Sequence, residues 1–177
     1  MGVITHVEVN RLMVEVTDGR LSLLQIPRQL LDRNQTDPVQ AVEVIATTIG
    51  RALGENADTT LRELPPPEHP VARRLAATLA PLLEPVPIPM VQGRLGDTAS
   101  VEAEVDLTLR ILEIPDSWLL PERGPELEKA VVETVNSRLG AAQQTLADRV
   151  QAELEQAPPI DWDEVSRMLT DLRGGFR

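Results

Sequence analysis

Apolar and polar positions change period several times along the chain, and each change marks an element. Val3, Thr5, Val7 and Val9 fall on one side of an extended segment, and Leu12, Val14 and Val16 alternate after it. Asp18-Gly19 comes next, then Leu21 and Leu23. An Asp-Gly pair suits the tight hairpin turn whose two central residues both need positive φ. The pattern therefore predicts a hairpin with Thr17 opposite Arg20, Val16 opposite Leu21 and Val14 opposite Leu23. Pro27 ends its second strand, because proline offers the ladder no donor. From Pro38 the period becomes helical. Val39, Val42, Ile45, Ala46, Ile49, Ala52 and Leu53 form one stripe, and Gly54 is placed to stop the helix.

Pro65-Pro66-Pro67 and Pro70 then mark a stiff connection. Val71, Leu75, Leu79 and Leu82 read as a short helix that Pro81 ends or kinks, and Pro85, Pro87 and Pro89 favour an extended edge segment. Alternation resumes from Val101 through Ala103, Val105, Leu107 and Leu109 to Ile111, with Glu102, Glu104 and Asp106 on the opposite face. Asp106 stands where Asp18 stands in the first half, but Leu107 replaces the glycine. One long strand is expected here rather than a hairpin. Gly124-Pro125, with Glu126 and Glu128 in the first turn, starts a second helix. Its stripe is Leu127, Val131, Val135, Leu139, Ala142, Leu146, Val150 and Leu154. About thirty residues at ~1.5 Å each make roughly 45 Å, longer than the sheet needs for cover, so the excess is expected against something else, such as another copy of the chain. After Pro158-Pro159, Asp161 and Glu164 form a capping box for a final amphipathic helix with Trp162, Val165, Met168, Leu169 and Leu172 on its apolar face. Those five side chains are the expected partner-binding surface.

The two halves resemble each other. Leu24-Gln25-Ile26-Pro27 recurs as Leu112-Glu113-Ile114-Pro115, and each is followed by a Leu-Leu pair, Leu30-Leu31 and Leu119-Leu120. Thr48-Ile49-Gly50-Arg51-Ala52-Leu53 reads against Thr134-Val135-Asn136-Ser137-Arg138-Leu139. Such self-similarity suggests a duplicated strand-and-helix unit. The expected fold is α+β: two repeated hairpin or strand–helix units joining their sheets about a pseudo-twofold, with helices on one face and a C-terminal amphipathic helix. The expected boundaries are 1–64 for the first repeat, 65–85 for the connection, 86–157 for the second repeat and 158–177 for the tail.

Composition narrows the function. The chain has 177 residues, 42% of them hydrophobic, and a net charge of −11. That is enough apolar material for a core, and no run approaches the ~18 residues of a membrane span. The N-terminus lacks the charged start and apolar stretch of a signal peptide, so a cytoplasmic location is expected and no membrane partner. There is no cysteine, which removes disulfides, thiolate metal sites and cysteine nucleophiles. The only aromatics are Trp118, Trp162 and Phe176, too few for a base-stacking platform. The two histidines, His6 and His69, have no acidic partner at triad or metal spacing. Gly93 to Asp97 lacks the lysine and the glycine count of a phosphate cradle, and Glu102, Glu104 and Asp106 read as a solvated strand face. No enzyme signature, cofactor, metal site or small-molecule substrate is expected.

Residues 1–88 carry 11 acidic and 8 basic side chains, and residues 89–177 carry 17 and 9. Both halves are net acidic, a field that repels a phosphate backbone. Local arginines still offer candidate DNA contacts: Arg20 and Arg28 flanking the hairpin's second strand, and the pair Arg73-Arg74.

The run from Val105 to Leu146 resembles the C-terminal half of the YbaB/EbfC nucleoid-associated family. It contains Leu109 to Asp116 (Leu-Arg-Ile-Leu-Glu-Ile-Pro-Asp), Leu119-Leu120, Glu126 to Val132 and Asn136. Residues 12–53 resemble the same pattern more weakly, with Gly50 where the asparagine would stand. The resemblance implies homodimeric α+β proteins that bind DNA with little sequence preference and are not enzymes. The long opening helix and lysine-rich character of that family are missing here. Two readings follow: a structural protein that contacts DNA, or an acidic interaction module such as a secretion-associated chaperone or assembly adaptor, with a protein partner or a second copy of the chain.

Overall fold

The computed structural model describes residues 3–63, 90–106 and 108–156. The proline-rich connection with Arg73, Arg74 and His69, the segment 85–89, and the tail with Trp162, Val165, Met168, Leu169 and Leu172 lie outside the described residues. By its internal contacts the chain divides after Thr145; the described part of the second unit, residues 146–156, is the last turns of a helix.

The fold is α+β, with two three-stranded sheets and helices. The first sheet is an antiparallel meander of β1 (Ile4–Val9), β2 (Leu12–Thr17) and β3 (Arg20–Gln25). Its two turns use left-handed backbone: Asn10 and Arg11 have φ of 51° and 69°, Asp18 and Gly19 of 51° and 75°. The predicted hairpin forms with Thr17 opposite Arg20 and Val16 opposite Leu21. Beyond that the register slips by one residue, so Val14 faces Leu24 and not Leu23. The slip serves burial: Leu24 joins the core and Leu23 stays half-buried.

A single turn, α1 (Arg28–Leu31), leads to α2 (Pro38–Glu63). Asp37 caps α2, its carboxylate accepting the Val39 N–H at 2.9 Å. The helix runs through Gly54 rather than stopping there. One mid-helix glycine costs only about 1 kcal/mol, and continuing places Asn56 where it is fully buried and hydrogen-bonded. Val39 is 53% exposed despite matching the apolar stripe, because burial starts one turn later at Ala41 and Val42.

The second sheet is where the expected layout fails. The strands are β4 (Gln92–Gly96), β5 (Glu102–Val105) and β6 (Leu109–Pro115), in the order β4-β6-β5. β4 runs parallel to β6 and β5 antiparallel to it. The halves thus form two sheets of different strand order instead of one joined sheet. The expected long strand from Val101 to Ile111 is broken at Asp106. Its carboxylate holds Thr108 N–H at 3.4 Å and the Arg110 Nε at 2.6 Å, and its own N–H donates to the Thr108 carbonyl. An aspartate turn does here what Asp-Gly does at residues 18–19.

Short turns at Asp116–Trp118 and Pro121–Arg123 lead into α3 (Gly124–Gln156). Leu127, Val131, Val135 and Leu139 are buried. They share one continuous core with Val14, Val16 and Leu21 of the first sheet, with Ile45 and Ile49 of α2, and with Leu109, Leu112 and Ile114 of the second sheet. These α3 positions lie 86 residues after Ala41, Ile45, Ile49 and Leu53 of α2, which are buried too. Likewise Leu24, Ile26 and Leu31 match Leu112, Ile114 and Leu119 at a spacing of 88, all of them buried. The sequence repeat therefore coincides with a repeat in burial.

Candidate functional site

Two sheets have four outer edges, and an unpaired edge must be covered, blunted or used. The edge of β3 is covered by α3. Asn136 pairs with the strand as another strand would: Leu21 N–H donates to its Oδ1 at 2.9 Å, and its Nδ2 donates to the Leu21 carbonyl at 2.8 Å. One strand-length further on, the Ile26 N–H donates to Glu128 Oε1 at 2.7 Å. β4 lies against α2. A Cβ on Gly93 would stand 2.5 Å from the backbone of Val42 and Glu43, so only glycine fits, and Gly93 N–H donates to Glu43 Oε2 at 2.8 Å. Gly50 abuts the Val91 side chain on the same seam.

β1 is tied at its start. Val3 N–H donates to Asp18 Oδ1 and Asp18 N–H to the Val3 carbonyl. Asn56 reinforces this from α2: it accepts Gly19 N–H at 2.9 Å and donates to the carbonyls of Val3 and Val16 and to Thr5 Oγ1. Both the oxygen and the nitrogen of this buried amide are used, a latch that joins the Asp18–Gly19 turn and the start of β1 to the helix.

The edge of β5 is the acidic one. β5 pairs with β6 on its inner side, and among the described residues no strand or helix side chain bonds its outer side. Along it runs an open groove of about 490 Å³ lined by Glu102, Ala103, Glu104, Val105, Ile111, Glu113 and Arg138. Glu102 stands directly opposite Glu113 across the ladder, and Glu104 opposite Ile111. Two carboxylates so placed repel each other. None of Glu102, Glu104 and Glu113 forms an ion pair among the described residues; the acid beside them, Asp106, is bound to Arg110. Partial burial pushes the Asp106 carboxyl up, but the Arg110 hydrogen bond and charge and the Thr108 N–H outweigh this and hold it below the usual 3.8. Among the described residues no three acidic or histidine side chains converge to hold a metal ion.

The sequence-predicted arginines are not brought together. Arg20 opens β3 and Arg28 follows its far end, so the two stand at opposite ends of the strand, both exposed. Arg28 shares its end of the sheet with Arg11 of the first turn. His6 is exposed on β1 opposite Glu15. Sequence reasoning took Glu102 and Glu104 for a solvated face, which they are, but missed that their strand edge is open. It also missed Asn56, Glu113 and Arg138. Asn56 was detectable only as a polar residue continuing the apolar phase of α2.

The chain matches no protein-family model, no curated protein and no solved structure. No helix among the described residues is long and apolar enough to cross a membrane.

Proposed function

We propose that this chain is a non-enzymatic cytoplasmic interaction protein, on a fold that resembles the YbaB/EbfC family, and that it acts by binding a protein partner. One observation carries the reading: the edges of β3 and β4 are covered by the chain's own helices, while the edge of β5 is left uncovered among the described residues and lies beside a groove lined by Glu102, Glu104 and Glu113, which outnumber its one cation, Arg138. A groove of that charge repels a phosphate backbone and suits a protein ligand. DNA contact is the second reading, favoured by the exposed Arg11 and Arg28 at one end of the first sheet.

Affinity purification from the native host, with and without nuclease, separates the two. Protein partners that survive nuclease support the adaptor. Co-purifying nucleic acid, with a duplex shift at about 50 mM salt that fades steeply as salt rises, supports the DNA reading and overturns the adaptor.

A further inference from the structure

We infer that the outer edge of β5 is a strand-addition site for an extended basic peptide segment of a partner protein. The inference rests on the adaptor reading and names the surface and its ligand.

It starts from the difference between the two halves. Leu24, Ile26 and Leu31 correspond to Leu112, Ile114 and Leu119, so β3 corresponds to β6 and β2 to β5. In the first half the leading strand, β1, lies along the outer edge of β2. In the second half the leading strand, β4, has gone to the far side of β6, where it pairs in parallel. The place along β5 that a leading strand would fill is thus empty, and the groove of about 490 Å³ lies there. Within Glu102–Val105 the alternate residues whose backbone groups do not face β6 present donors and acceptors to an incoming strand.

Charge selects the occupant. A second copy pairing β5 to β5 would set Glu102 and Glu104 against their own counterparts, which like-charge repulsion disfavours. An incoming strand with Arg or Lys at alternate positions would place its cations among Glu102, Glu104 and Glu113, three acids against the single Arg138 in the groove lining. There it would relieve the repulsion between Glu102 and Glu113 that the free protein carries. Between the cations, small or β-branched residues would fall on the opposite face of the sheet, that of Ala103.

The test uses the full chain and a synthetic peptide of about ten residues alternating Arg and Thr, followed by fluorescence anisotropy. A control peptide of the same charge carries proline at alternate Thr positions and so cannot join a ladder. The expected result is saturable binding of the first peptide, about tenfold or more weaker for the proline peptide and for the Glu102→Lys/Glu104→Lys variant. That variant should melt at or above the parent's temperature, because it replaces a like-charge pair. Equal binding of both peptides would reduce the site to non-specific charge attraction and overturn the inference. Equal binding to parent and variant would place the ligand elsewhere and overturn it too. If no peptide binds, and a nuclease-resistant partner is captured equally by parent and variant, strand addition at β5 is wrong while the adaptor reading stands. The carboxylates then serve only to keep like edges apart.

Discussion

The edges of β3 and β5 are the most informative pair of regions in the molecule. Both are outer strands of three-stranded sheets, β3 following the Asp18–Gly19 turn and β5 preceding the break at Asp106. β3 is sealed by a helix: Asn136 supplies the donor and acceptor a neighbouring strand would have supplied, and Glu128 takes the next free N–H. β5 has no such cover among the described residues and carries repelling carboxylates instead. A repeated unit can thus keep its core positions while exchanging what lies at its edge. Cores constrain spacing tightly because every buried side chain meets several others, whereas an edge needs only some partner for its backbone.

Four changes would break or sharpen that comparison. The largest effect is expected for Val42→Asp or Val131→Asp. Each side chain is fully buried in the one core that joins both sheets, so an unpaired charge there should cost well over ~4 kcal/mol and abolish the cooperative melt. If one half kept a sharp transition, the halves would have separate cores and comparing them as one body would be wrong. Next is Gly93→Ala, expected to cost about 3 kcal/mol because the new methyl overlaps the α2 backbone. Gly54→Ala is its control: it meets nothing within 4 Å and should stabilise by about 0.5–1 kcal/mol.

Smaller again is the asparagine pair. Asn56→Ala strands buried backbone groups of Gly19, Val3 and Val16 and should cost about 2–3 kcal/mol; Asn136→Ala uncaps one residue of a half-buried edge and should cost about 1–2 kcal/mol. Denaturant unfolding measures both, and the reverse order would mean that the edge seal matters more than the meander latch. The smallest effect is Asp106→Asn. Its carboxyl is held below 3.8 in the folded chain, so it stabilises above that pH and loses the contribution as pH falls through the lowered value. The side chain is 45% exposed, so solvent screening keeps this well under ~1 kcal/mol. The variant should be slightly less stable than the parent near neutrality and converge with it below about pH 4, so that the stability slope there is flattened.

The local patterns that a single segment can encode were legible in the sequence. Asp18-Gly19 announced its turn, the stripe of α2 its buried face, and the paired Leu-x-Ile-Pro runs their matching core positions. What escaped were features set by another segment. β4 contains two glycines in five residues and scarcely alternates, so nothing in Gln92–Gly96 reads as a strand. It becomes one by pairing in parallel with β6, and glycine is required at Gly93 because α2 passes too close for a side chain. The break at Asp106 was hidden because apolar parity continues unchanged across the turn. The open edge of β5 could not be read from β5 at all, since it depends on where β4 goes. Of the candidate contact residues, Arg20 and Arg28 lie at opposite ends of β3, both exposed and a strand's length apart.

Amide hydrogen exchange followed by NMR tests the contrast between the two edges most directly. The amides of Leu21 and Ile26 should be protected, because Asn136 and Glu128 accept them. Within Glu102–Val105 protection should alternate, with amides that face β6 slow and outward-facing ones fast, the latter slowing on addition of the Arg-Thr peptide. Uniform protection along β5 in the free chain, or outward amides that stay fast at saturating peptide, would contradict the open strand-addition edge.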